Sequence, residues 1–178
     1  MTTTHIHVDE TKERGYVIVA SFCTPEAAAA IRKMLRGDYV LPGQSRIHMA
    51  KESDRRRRKI ADLICQSNVA AVVYDAGRRY SDDLDARAEC LLSIVRGLPA
   101  NQQALLVIEQ DDSIIRWDKR FLYNVLRSAG REHTVTYTHR RASADLVLSI
   151  PDAIAWCWAR GGLWRERIRP AVIDVVRV

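Results

Sequence analysis

Apolar positions along this chain fall into two rhythms, one repeating every second residue and one every three to four. The first predicts half-buried strands and the second predicts amphipathic helices. Ile6 to Asp9 has the strand rhythm. "ERGYVIVASFC" predicts a second strand, rich in β-branched and aromatic residues, with Gly15 marking the loop before it. "TPEAAAAIRKMLRG" reads as a helix, which Thr24 can cap, Pro25 suits at its first turn and Gly37 can stop. "YVLPGQ" predicts a turn and "SRIHMAK" a third strand.

From there helices alternate with strands. "ESDRRRRKIADLICQSN" carries Ile60, Leu63 and Ile64 at helical spacing, and "VAAVVYDA" is the continuous apolar run of a strand covered on both faces. "SDDLDARAECLLSIVRGL" predicts a helix capped at Ser81 and ended by Gly97 and Pro99. "ALLVIEQ" is a further buried strand that closes on Glu109. "SIIRWDKRFLYNVLRSAG" is a helix, "HTVTYTHR" a short strand, and "ADLVLSIPDAIAWCWARGG" holds a last helix ending at Gly161-Gly162. The tail "RPAVIDVVRV" predicts one more strand or a segment packed across an edge.

The sum is an α/β fold with a mixed sheet flanked by helices. Its leading hairpin is antiparallel, because the first link is too short for a crossover. The later strands, separated by helices, are free to run parallel. A length of 178 residues fits one domain, 1–178, and no repeat or linker divides it.

Composition narrows the class. The chain is 47% hydrophobic and 28% charged, as expected of a globular protein, and no apolar run approaches the ~20 residues of a membrane helix. "MTTTHIHVDE" lacks the basic-then-apolar pattern of a secretory signal. The four cysteines, Cys23, Cys65, Cys90 and Cys157, form no Cys-x-x-Cys pair and read as small buried hydrophobes in a reducing, cytoplasmic compartment. A formal charge of +6, with pI ≈ 9.4, favours a polyanionic partner such as nucleic acid.

Candidate chemistry lies in three acidic positions. Asp9, with Glu10 beside it, ends strand one; Glu109 ends a buried strand; Asp152 stands near the start of the last helix. Sites in open α/β sheets gather at the carboxyl ends of strands. An all-oxygen cluster there suits Mg²⁺ or Mn²⁺, and such ions can activate water for phosphodiester cleavage. Each position also has a plain reading: a soluble hairpin turn for Asp9-Glu10, a solvated helix start for Glu109 with Asp111 and Asp112, and favourable charge in a first helical turn for Asp152, with Asp145 as its alternative.

Asp9-Glu10 in a leading hairpin resembles the opening of ribonuclease H-like nuclease folds. The chain is most similar to a large bacterial group, the domain-of-unknown-function 3800 family, at four places: "VDET", "RIHMAK", "VIEQ" and "LSIPDAIAW". Pro151 stands where that family has alanine, and Thr11 where it has serine. The resemblance implies a ribonuclease H-like α/β domain with Asp9, Glu109 and Asp152 as metal ligands for Mg²⁺ or Mn²⁺. Glu10 and His48 lie nearby in this scheme, His48 shuttling a proton or orienting a water.

Other features have a structural and a functional reading. His5 and His7 share a face with Asp9, and are expected as half-exposed strand residues more than as a transition-metal face. Arg55, Arg56, Arg57, Arg58 and Lys59 spread around a helix start; they and Arg140 and Arg141 are expected to meet backbone phosphates. Trp117, Trp156, Trp158 and Trp164 could stack bases, with core packing the stronger reading. The resulting expectation is a metal-dependent nuclease acting on DNA or RNA. Its alternatives are a non-catalytic binding or assembly module of the same fold and a hydrolase of small phosphorylated molecules. The tail "AVIDVV" adds an edge on which a homodimer could pair.

Overall fold

A computed structural model describes residues 3–178. Strands β1 (Thr4–Thr11) and β2 (Tyr16–Cys23) form the expected hairpin, and Gly15 lets its loop close. Gly15 has a φ of 113°, and a Cβ there would stand 2.8 Å from the backbone of Gly77, so only glycine fits. Helix α1 (Pro25–Met34) is capped as read: the Thr24 side chain accepts from the Ala27 N–H, and proline opens the first turn.

Gly37 does not stop this helix. A π-helical turn, Leu35–Tyr39, carries it through, and Leu35 is buried. A second correction concerns "SRIHMAK", which forms no strand. It is an irregular segment ending in the 3₁₀ turn Met49–Lys51. Its alternation is real, since Ile47 and Met49 are 1% and 0% exposed while Arg46 and His48 point away from the core. Period two here anchors a loop to the core without pairing it to a strand.

Helix α2 (Asp54–Gln66), capped by Ser53, leads to β3 (Ala70–Gly77). Next come α3 (Asp83–Gly97), β4 (Ala104–Glu109), α4 (Ile115–Ser128) and β5 (Val135–Arg140). Asp82, not Ser81, caps α3. The 3₁₀ turn Leu146–Leu148 runs into α5 (Ser149–Arg160); α6 (Gly162–Ile168) and the tail strand β6 (Val172–Arg177) finish the chain.

The sheet order is β5-β4-β1-β2-β3-β6. β2 lies between β1 and β3 and runs antiparallel to both, whereas β4 runs parallel to β1, β5 to β4 and β6 to β3. Thus "VAAVVYDA" joins the antiparallel half, although two helices separate it from β2.

Alternate residues of each strand feed two cores. Val17, Val19, Ala71 and Val73 pack with α1, α2 and α5, while Ile6, Val8, Ile18 and Ala20 pack with α3 and α4. Every residue of α5 except Asp152 and Arg160 is buried, as befits a helix apolar on all sides. No helix among the described residues is long and apolar enough to cross a membrane. The cysteines are free, with Cys23, Cys90 and Cys157 buried.

Candidate functional site

Strand register brings the first two acids together. β1 and β4 are adjacent and parallel, pairing His7 with Val107 and Val8 with Ile108. The next residues along the two strands are Asp9 and Glu109. Both point to the sheet face shared by His7, which meets Asp145, and Val107, which packs on Leu148 just ahead of α5. Helix α5 crosses β1 and β2 and sets Asp152 in its first turn over the same ground. The three carboxylates predicted to meet share one electrostatic neighbourhood.

Their ionisation shows the strain of that arrangement. Burial first, then the charges of Asp152 and Glu109, push the Asp9 carboxyl well above its ordinary range; Arg46 and Arg87 oppose this. Glu109 is also raised, chiefly by burial, with the Ala142 N–H and Arg46 pulling the other way and Asp152 adding to the rise. Its Oε1 accepts from Arg46 Nη1 at 3.2 Å and from the Ala142 N–H at 3.3 Å, while its Oε2 is buried without a partner. An oxygen-only, self-repelling set with an unsatisfied buried oxygen suits a hard divalent cation in its chemistry. Among the described residues, however, no group of three or more His, Cys, Asp or Glu side chains is arranged so that it could hold an ion. Closing these donors around a cation requires side-chain movement.

Asp152 is the better-fixed acid. Its Oδ2 accepts from the Met49 N–H at 2.9 Å, and Oδ1 lies 3.3 Å from His48 Nδ1. Pro151 before it sits where no intrahelical donor is needed, so the proline costs α5 little. His48 therefore joins the site from an irregular segment, with 31% of its side chain exposed.

Glu10 goes elsewhere. Adjacent residues of a strand point to opposite faces, and Glu10 meets Arg87 of α3 on the far side of the sheet. Arg87 also grips Asp118 of α4 with two bonds, at 2.6 and 2.7 Å, and Tyr16 OH at 3.2 Å. His139 Nε2 lies 3.0 Å from Asp118 Oδ2. This buried network backs the end of β1 but faces away from Asp9. His7, which shares the face of Asp9, is fully buried rather than half-exposed, 3.5 Å from Asp145. Asp145 is bound in turn by Arg32 at 3.0 Å, so this alternative acid is committed to an ion pair.

The basic run divides into two groups. Arg56 bonds Glu52 and the Tyr39 carbonyl, each at 2.5 Å. Arg57 bonds the Met49 and Ala50 carbonyls at 2.8 and 3.0 Å and lies 4.5 Å over the Trp156 ring. Both are half-buried, whereas Arg55, Arg58, Lys59 and Arg140 are exposed. Arg141 is exposed but pairs with Asp112 at 2.5 Å. Trp156 and Trp158 are both buried, so neither presents an open stacking face.

Arg46 belongs to the site and escapes sequence reading. Nothing local marks it. Its partner Glu109 is distant in the chain, and only its alternation with Ile47 toward the solvent side hints at a shared face with His48.

In structure the chain is similar to RNase HII from Archaeoglobus fulgidus, solved as a complex with PCNA. The TM-score is 0.56 and the identity 17%, over 95% of this chain and 78% of that one. At that identity the likeness establishes the fold, which is ribonuclease H-like. No family model matches the chain, and no curated protein matches it in sequence.

Proposed function

We propose that the chain, 1–178, is one ribonuclease H-like domain that hydrolyses phosphodiester bonds of nucleic acid with a divalent metal. Within that fold we keep it nearest the domain-of-unknown-function 3800 group, on the four short motifs given above. The observation carrying the proposal is the convergence of Asp9, Glu109 and Asp152, where burial first and then acidic neighbours push the first two carboxyls above their ordinary pKa. Placing like charges together in a partly buried spot is costly for stability alone and is characteristic of sites that bind cations.

Asp9, Glu109 and Asp152 would hold Mg²⁺ or Mn²⁺. When bound, the metal supplies Lewis-acid stabilisation of the phosphoryl oxygens and a more acidic water. Asp152 is oriented by the Met49 N–H. His48, on the solvent side of Asp152, accepts a proton from the attacking water or returns one to the leaving oxygen. Glu10 contributes from behind, fixing the end of β1 through Arg87. Arg55, Arg58, Lys59 and Arg140 neutralise backbone phosphates, with Arg141 joining once it leaves Asp112; Arg56 and Arg57 shape the surface that presents them.

A panel of labelled DNA, RNA and hybrid substrates with Mn²⁺ tests the proposal. Wild type is expected to cleave at least one. Asp9→Asn should lose more than the ~10–100-fold typical of changes around a metal's outer shell. Equal cleavage by both proteins would remove this site from the reaction. A second reading, a non-catalytic binding or assembly module, draws on the absence of a ready three-ligand arrangement among the described residues. Binding without cleavage of any panel member would favour it.

A further inference from the structure

Arg46 holds a position in this site that the metal-dependent reading does not explain. Its guanidinium meets Glu109 Oε1 at 3.2 Å, and its positive charge reaches Asp9 as well. It is thus bonded to one of the three carboxylates and is the foremost opposing charge at a second. A divalent ion entering among the same oxygens would meet a guanidinium already bound to one of them.

The segment that carries Arg46 has room for the side chain to leave. Residues 41–45 are exposed and irregular, and Ile47 and Met49 hold the segment to the core from the next positions. Beside the carboxylates lies an open cleft of about 240 Å³, lined by Ser45, Arg46, His48, Lys51 and Glu52. Glu52 is neutralised by Arg56 at 2.5 Å, so it offers Arg46 only a weak competing partner. The Arg46 side chain is 36% exposed and makes no hydrogen bond other than the one to Glu109 among the described residues. One contact must break for it to swing out.

We propose that Arg46 is the resident counter-cation of the carboxylate cluster and is exchanged for the divalent metal, so that it sets the affinity of the site for that metal. The inference rests on the metal-dependent reading above. In the metal-free protein Arg46 screens the acids from one another. On loading, the metal takes over that role, and the guanidinium turns into the cleft.

Mn²⁺ binding measured by titration calorimetry tests the exchange in wild type, Arg46→Gln, Arg46→Lys and Glu109→Gln. Removing a unit charge that competes for the same oxygens should tighten Mn²⁺ binding about tenfold in Arg46→Gln, after allowance for solvent screening. Arg46→Lys keeps the charge and should stay near wild type. The rise in thermal midpoint on adding Mn²⁺ should be larger for Arg46→Gln than for wild type, which reads the same linkage without any turnover. If wild type binds Mn²⁺, Glu109→Gln does not, and Arg46→Gln is unchanged or weaker, the exchange is overturned while the metal site stands. Equal tightening in Arg46→Lys would overturn it too, because charge would not be the cause. Absence of binding in both wild type and Arg46→Gln would overturn exchange and metal site together.

Discussion

Two acids of this protein, half-buried Asp9 and buried Asp118, have opposite fates. Asp9 is raised, chiefly by burial and then by its acidic neighbours. Its folded form therefore holds the proton more tightly than the unfolded chain does, and it lowers stability as pH climbs past the ordinary carboxylate value. Asp9→Asn should raise the thermal midpoint of the metal-free protein at pH 7–8, and the gain should vanish below about pH 4, which a pH series of melts would read. Asp118 is the reverse: burial works against its charge, but hydrogen bonds from His139 and Arg87 outweigh it and lower its pKa. It supports the fold above the ordinary carboxylate range and loses that support as acid protonates it. Asp118→Asn leaves Arg87 buried with a broken pair and should cost about 3–5 kcal/mol, measured as a fall in the urea midpoint at constant slope. Asp9 could be read from the sequence because it follows directly on the apolar run of a strand, although that strand continues to Thr11. Asp118 could not, because its meaning comes from Arg87 and His139 on other elements. Glu10 was legible in principle, since period two sends it to the face opposite Asp9, but its adjacency to Asp9 hid that.

At the level of elements, pattern located nearly every helix and strand, and failed where pattern and pairing part. "SRIHMAK" alternates because Ile47 and Met49 plug the core, and alternation alone cannot tell a moored loop from a strand with partners. Gly37 looked like a stop, yet buried Leu35 gives the chain reason to wind on. Helix α5 shows the converse. Its near-total burial makes Asp152 conspicuous, and the sequence shows the same thing as one acid within an apolar run. Helix α2 separates cations that tie down the fold from cations that face solvent, a division no charge count shows. Arg57→Gln should cost about 1.5–3 kcal/mol in urea, from lost carbonyl contacts to a charged donor and lost stacking on Trp156. Arg58→Gln should leave that midpoint unmoved while reducing the salt dependence of oligonucleotide binding by about one phosphate contact.

For the whole molecule, the leading hairpin and mixed sheet followed from loop length and apolar runs, but the neighbour of each strand did not. A strand reached through helices can return in either direction, so β3 settling antiparallel to β2 is fixed by packing across the sheet and not by any local cue. The resulting order places β1 between β2 and β4, and so puts Asp9 beside Glu109, with α5 supplying the third acid from late in the chain. That order has a consequence during synthesis. A polypeptide still growing past β5 already owns five strands and two of the acids, yet it lacks the one that α5 brings. On the proposed reading, then, a nascent chain that has formed β5 but not α5 cannot yet cut, and the power to do so arrives only when that helix has emerged from the ribosome.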